Sequence, residues 1–186
     1  MRRFAFVVIL AVALLAQGCL IVSIHPLYTE NDVVFDEALL GTWGSDPSEG
    51  ESWVFEQAEG KAYRMTVNEK GKEPGHFEAH LVKLGEYLFL DLYPEEPDGI
   101  NEFFISHVIP AHSIWRATIT ADSLSLASLD YDWLTREIEA GQLDVEHEKL
   151  EHVLVLTGEP SDLQMLVLKH PHEAFDDEPD VAVRIK

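Results

Sequence analysis

Histidines, carboxylates and one cysteine are the side chains of this 186-residue chain that could do chemistry. Nine histidines invite a metal, and their spacing decides the matter. On a strand, His76 and His80 share a face but stand ~13 Å apart, too far to hold one ion. His147 and His152 are five apart, whereas two ligands on a helix must be four apart to share a face. His170 and His172 flank Pro171 at an expected helix exit. Solvated or hydrogen-bonded histidines, with no metal, are the expectation. The acid-rich stretch 91–102 suggests calcium, which takes about six to eight oxygens. Pro94 stands where a further acid belongs, however, and Ile105 stands where the bidentate glutamate belongs, so a solvated acidic loop is expected. Neither a Gly-x-Ser-x-Gly elbow nor a glycine-rich phosphate loop occurs. With 34 acidic residues, any carboxylate pair picked for acid–base work is arbitrary. The chain reads as a non-enzyme without a cofactor.

Cys19 is different, because its surroundings are informative. Met1-Arg2-Arg3 is a short positive opening, and residues 4–16 follow without a polar side chain. That run fits the apolar part of a secretory signal and falls short of the ~20 residues a spanning helix needs. Leu15-Ala16-Gln17-Gly18-Cys19 then resembles the lipobox of bacterial lipoproteins. The resemblance implies that residues 1–18 are a signal peptide, that cleavage falls before Cys19, and that its thiol is diacylated. Two acyl chains hold a bilayer far more firmly than one. In a Gram-negative host, Leu20 rather than Asp after the cysteine implies the periplasmic face of the outer membrane.

Removing the leader leaves 168 residues, enough for one domain with its own core. The leader carries two arginines and no acid, so the mature formal charge is −23. Such a chain is a poor partner for nucleic acid, whose phosphates demand Lys and Arg. Anionic headgroups should repel it as well, which leaves anchoring to the lipid on Cys19. An acylated Cys19 leaves no thiol for a disulfide or a zinc–thiolate site.

The elements that must position any site are mostly strands. Residues 19–38 read as a lipidated tether, with a short helical turn near 36–40. After it the dominant period is two. Strands are expected at 51–57, 61–69, 76–84, 86–93, 103–109, 112–120, 123–129 and 152–157. The stretch 86–93 is apolar on both faces and should be covered on both. Turn formers separate these runs, as at Asp46-Pro47, Glu59-Gly60, Lys70-Gly71, Gly85 and Ala121-Asp122. Two helices interrupt: 131–140, capped by Asp130, and one opened by a Ser161/Gln164 capping box and ending near Lys169. Residues 176–186 read as an acidic tail with a final strand at 181–185. The expected fold is mainly β: an antiparallel up-and-down barrel of about eight or nine strands, closed to remove exposed edges, with two short helices. The barrel domain is expected over 39–175.

Leu39-Leu40-Gly41-Thr42-Trp43, placed just ahead of this meander, resembles the opening of lipocalins and other calycins. That resemblance implies a Gly-x-Trp closing one end of the barrel, with the tryptophan covered by an arginine from a late strand, here Arg116 or Arg184. Pro26-Leu27-Tyr28-Thr29 followed by Leu39–Trp43 is also similar to a group of bacterial lipoproteins, a likeness that brings no activity with it.

Trp53, Phe55, Tyr63, Phe77, Phe89 and Trp115 are expected on one face of separate strands. In a small barrel such residues either fill the interior or line a cup for one apolar ligand. The first function expected is therefore a lipid-anchored, non-catalytic binder of a small apolar or amphipathic molecule. The second is a packed barrel that binds another envelope component through its acidic face and loops such as 94–102.

Overall fold

A computed structural model describes residues 20–44, 50–97 and 99–185. Cys19, the leader before it and the turn expected at 46–50 up to Glu49 lie outside the described residues. In chain order the elements are β1 (Leu20–Ser23), β2 (Val33–Val34), a 3-10 turn (Glu37–Leu39), β3 (Gly41–Gly44), β4 (Ser52–Gln57), β5 (Tyr63–Asn68), β6 (Gly75–Leu84) and β7 (Tyr87–Pro94). There follow α1 (Glu102–Ile105), β8 (Ser113–Ile119), β9 (Ser123–Ser128), α2 (Tyr131–Glu139), β10 (His147–Leu150), β11 (Val153–Leu156), α3 (Pro160–Lys169) and β12 (Asp180–Ile185).

The alternating strands close an antiparallel barrel of eight staves in the order β6-β5-β4-β3-β12-β9-β8-β7, completed by pairing of β6 with β7. Closure leaves no long free edge. The ninth strand, β2, pairs with Val82 and Leu81 of β6, beyond the Gly75–Ala79 stretch that β5 occupies. A second, small sheet has the order β1-β11-β10, with β1 parallel to β11.

Four segments differ from the sequence expectation, each for a local reason. The C-terminal residues 181–185 are not an appendage: β12 lies between β3 and β9 as the closing stave, with Ala182 buried in the barrel. The strand expected at 152–157 is instead β11 of the small sheet. Residues 20–32 are not a free tether, because Leu20–Ser23 alternates outward and inward as a strand and Leu27 is fully buried. The apolar run 103–109 begins as helix α1 rather than as a strand, since the Asn101 side chain accepts from the Phe104 N–H at 3.2 Å and so caps a first turn.

The two expected helices exist. Asp130 caps α2, accepting from the Trp133 N–H at 2.9 Å, and Leu134 on its inner stripe is buried. In α3 the Ser161/Gln164 capping box does not form, because the helix starts at Pro160. The Gln164 amide instead donates to the Leu27 carbonyl and to Asp32, both at 2.9 Å, and ties the N-terminal segment to α3.

Two cores result. One fills the barrel and includes Leu39, Trp43, Phe55, Tyr63, Met65, Leu90 and Leu124. The other lies between the outer barrel wall and a layer made of α2, α3 and the small sheet, with Leu134, Leu154, Leu163 and Phe175 among its members. β7 serves both, as its two apolar faces require: Leu90 and Leu92 point into the barrel, and Phe89 points out.

Candidate functional site

In an up-and-down barrel the connections alternate between the two ends. The short turns 58–62, 85–86 and 120–122 share one end with the segment entering β3. That end is shut. Arg184 on β12 pairs across the ladder with Trp43 on β3, and its guanidinium lies 4.1 Å from the indole ring centre. The same side chain donates to the carbonyls of Ala121 at 2.9 Å, Leu40 at 2.6 Å and Ala38 at 2.6 Å. One arginine thus joins a turn, the 3-10 segment and the closing stave. Gly41 makes room for it: its φ is +118°, and a Cβ there would stand 2.9 Å from Arg184 Nη1. Trp43 Nε1–H donates to the Leu39 carbonyl at 2.9 Å. Phe35 stacks on Tyr63 with ring centres 4.9 Å apart. The Tyr63 hydroxyl donates to the Asp36 carbonyl at 3.1 Å and accepts from the Asp36 N–H at 2.6 Å. Burial pushes the Tyr63 phenol above its ordinary pKa. Of the two arginines expected over Trp43, Arg116 takes another post, on the outer wall over Phe175 and donating to the Pro171 carbonyl.

The six aromatic residues expected to line a cup divide into three groups. Phe55 and Tyr63 are buried inside the barrel and packed against Trp43, Met65 and Leu81. Trp53, Phe77 and Trp115 are half-buried and near the opposite end, where β4, β6 and β8 begin. Phe89 does not join them: it faces the outer core, with its ring centre 5.6 Å from that of Phe175. Alternation along β7, apolar on both faces but for Asp91, did not say which face was inner. Two clefts of about 360 and 400 Å³ indent the molecule, one beside Glu56, Arg64 and Glu95 and the other beside Tyr87, Leu88, Arg116 and His172. None of the six aromatic residues lines either cleft.

The opposite end carries the long β7–β8 connection, whose acidic stretch the sequence singles out but whose exposed apolar cluster it does not. Ile100, Phe103, Phe104, Val108 and Ile109 are all exposed there, Phe103 to 76 % and Ile109 to 80 %. Exposed Glu96 and Glu102 lie in the same connection. The signal was present in the sequence as an apolar run with no turn chemistry, but it was assigned to a stave. Scattered apolar side chains need no explanation on a surface, whereas five large ones within ten residues do.

Asp91 opens the stretch that reads as a solvated acidic loop, yet it belongs to β7 and is 1 % exposed. Its carboxylate accepts from the Leu27 N–H at 2.7 Å and contacts His112 Nδ1 at 2.6 Å. The clue was a lone acid within Leu88-Phe89-Leu90-Asp91-Leu92. Nearby, the Tyr28 hydroxyl and His80 Nδ1 are 3.0 Å apart. Burial lowers the His80 pKa despite Glu78 and Asp91, and burial together with Asp91 pushes the Tyr28 phenol up to about 12. Burial thus favours the neutral His80 ring, which shares this hydrogen bond with the Tyr28 hydroxyl. This network fastens the N-terminal segment to the barrel wall. Elsewhere His76 faces Thr66, His107 the Phe103 carbonyl, and His147 the Val145 carbonyl.

Among the described residues, no three His, Asp or Glu side chains gather as a metal site, and no helix is long and apolar enough to cross a membrane. No family model, no curated protein and no solved structure matches this chain.

Proposed function

We propose that this is a lipid-anchored envelope protein, acylated at Cys19, whose filled barrel is a non-catalytic scaffold for docking another envelope protein. The observation that carries the reading is the exposed apolar cluster of the β7–β8 connection, set on a barrel whose interior is already occupied by its own side chains. A filled interior has no room for a guest, whereas an exposed apolar cluster gains by being covered. The flanking Glu96 and Glu102 select a partner whose apolar patch is edged with Lys or Arg. Photo-crosslinking groups placed at Phe103 and Ile109 in intact envelopes should each give one discrete adduct. Glu96→Lys with Glu102→Lys should remove that adduct while the fold stays intact. No adduct at either position, or an adduct indifferent to the charge reversal, refutes the docking.

A small apolar or amphipathic ligand is the second reading. Half-burial of Trp53, Phe77 and Trp115 at the far end of the barrel favours it. Such a ligand would lie across the mouth rather than in a cup. Addition of fatty acids or lysophospholipids should then quench tryptophan fluorescence, and Trp115→Phe should reduce the response. An unchanged spectrum across that panel removes this reading.

A further inference from the structure

We infer that the outer face of the small sheet rests directly on a lipid surface, which fixes the orientation of the domain at the bilayer. This rests on the reading of Cys19 as the lipidated residue. Consecutive Cα atoms lie ~3.8 Å apart, so a lipid on Cys19 is covalently held beside Leu20. Leu20 is not a linker residue: its N–H donates to the His152 carbonyl at 2.9 Å, and it pairs with Val153 in the sheet. There is no slack between anchor and fold.

The face presented at that point is mostly apolar, with one acid, Glu148, opposite Val155. Ile21, Leu154 and Leu156 turn inward to the core, so alternation turns Leu20, Val22, Val153 and Val155 to the other side. Leu150 of β10 stands opposite Val153 across the hairpin and completes the row Leu20–Val153–Leu150. Leu20 is 52 % exposed and Leu150 61 %. A protein occupant would have to compete with a bilayer already held within one residue. Charge plays no part in the attraction, since Glu148 shares the face, Glu151 borders it and the mature chain is strongly acidic. The contact suits zwitterionic lipid, with apolar side chains entering the headgroup boundary.

The test uses the lipidated protein in phosphatidylcholine vesicles, with Leu150→Cys carrying a polarity-sensitive fluorophore. Iodide quenching of that label should fall about fivefold relative to the soluble Cys19→Ser form, because the label enters the headgroup layer. Nitroxide headgroup lipids should quench it, and a ten-residue Gly/Ser insertion before Leu20 should restore iodide access. If the protein floats with the vesicles but iodide reaches the label freely, the seating is wrong and the anchor stands. If Cys19→Ser floats equally well, the anchor reading itself fails. Protection in native envelopes but not in pure lipid overturns the inference in favour of a protein occupant.

Discussion

Arg184 should be worth about 3 kcal/mol to the fold, mostly through geometry rather than charge. It donates to three backbone carbonyls, two of them at 2.6 Å, and covers the Trp43 ring at 4.1 Å. Hydrogen bonds from a charged donor contribute ~1.5–3 kcal/mol each when buried. Arg184 is half-buried and its Ala121 acceptor is exposed, so the lower end applies and water recovers part of the loss. About 1 kcal/mol for each of the two short bonds, with about 0.5–1 kcal/mol for the cation–π contact, gives the total. Arg184→Lys keeps a cation over the ring but cannot fork to three carbonyls, so it should lose about half as much. Urea unfolding of the soluble Cys19→Ser protein, followed by tryptophan fluorescence, measures both with an unchanged m-value. A shift of about 2–4 °C per kcal/mol is expected in melting temperature for a chain of this size. Arg184→Ala within about 0.5 kcal/mol of the parent, the scale of an ordinary surface change, refutes the clamp. So does full rescue by lysine, which would reduce the interaction to charge alone.

Gly41→Ala should cost about 1–3 kcal/mol, because it places a Cβ both at φ +118° and against Arg184 Nη1. Its effect should shrink in an Arg184→Ala background, where the guanidinium is gone, and a double-mutant cycle measures that coupling. Asp91→Ala strands the buried Leu27 N–H and His112 Nδ1, so a loss of about 3–5 kcal/mol is expected; faster amide exchange at Leu27 checks the mechanism, and unchanged exchange rejects it. The depressed His80 pKa makes the neutral ring the stable form in the fold. Its contribution is therefore complete above the ordinary histidine value of about 6.5 and is lost as pH falls through the lower folded value. Melting curves from pH 8 to 5 should show the parent losing more stability than His80→Gln, and parallel curves contradict the assignment.

Period-two alternation made the barrel legible, because a stave with one wet face must alternate. β4, β5, β6 and β8 all read correctly for that reason. It failed where a strand is dry on both sides. In β7 the inner Leu90 and the outer Phe89 are equally apolar, so sequence alone could not keep Phe89 out of the interior set. It failed again where apolar residues are exposed, since Phe103–Ile109 has the composition of a stave and only Asn101 betrays a cap. The strand at 181–185 was legible, but its place as a stave of the barrel was hidden by its charge. Asp180 and Arg184 look like a solvated tail until β3 and β9 are seen to need a strand between them. Asp91 was obscured by its neighbours 95–102, which made a structural carboxylate resemble the start of an acidic loop.

With Cys19 acylated as proposed, the anchor and the apolar connection form one mechanical unit. β1 runs from Leu20, beside Cys19, to Ser23, and Ser23 exchanges two backbone hydrogen bonds with His112, at 2.9 and 2.7 Å. His112 is where the β7–β8 connection returns to the barrel, and its ring is held by Asp91. Three steps along a strand, about 10 Å, therefore separate Leu20 from the root of the connection. A flexible tether would let Phe103 and Ile109 sample every direction from the membrane, whereas under the proposed lipidation this ladder fixes the root of their connection relative to the bilayer. That rigidity is useless to a soluble carrier, which must diffuse to collect and deliver a ligand. It suits a docking protein, since a partner in the same membrane meets a surface already held at one height and angle, with less orientational freedom left to lose on binding.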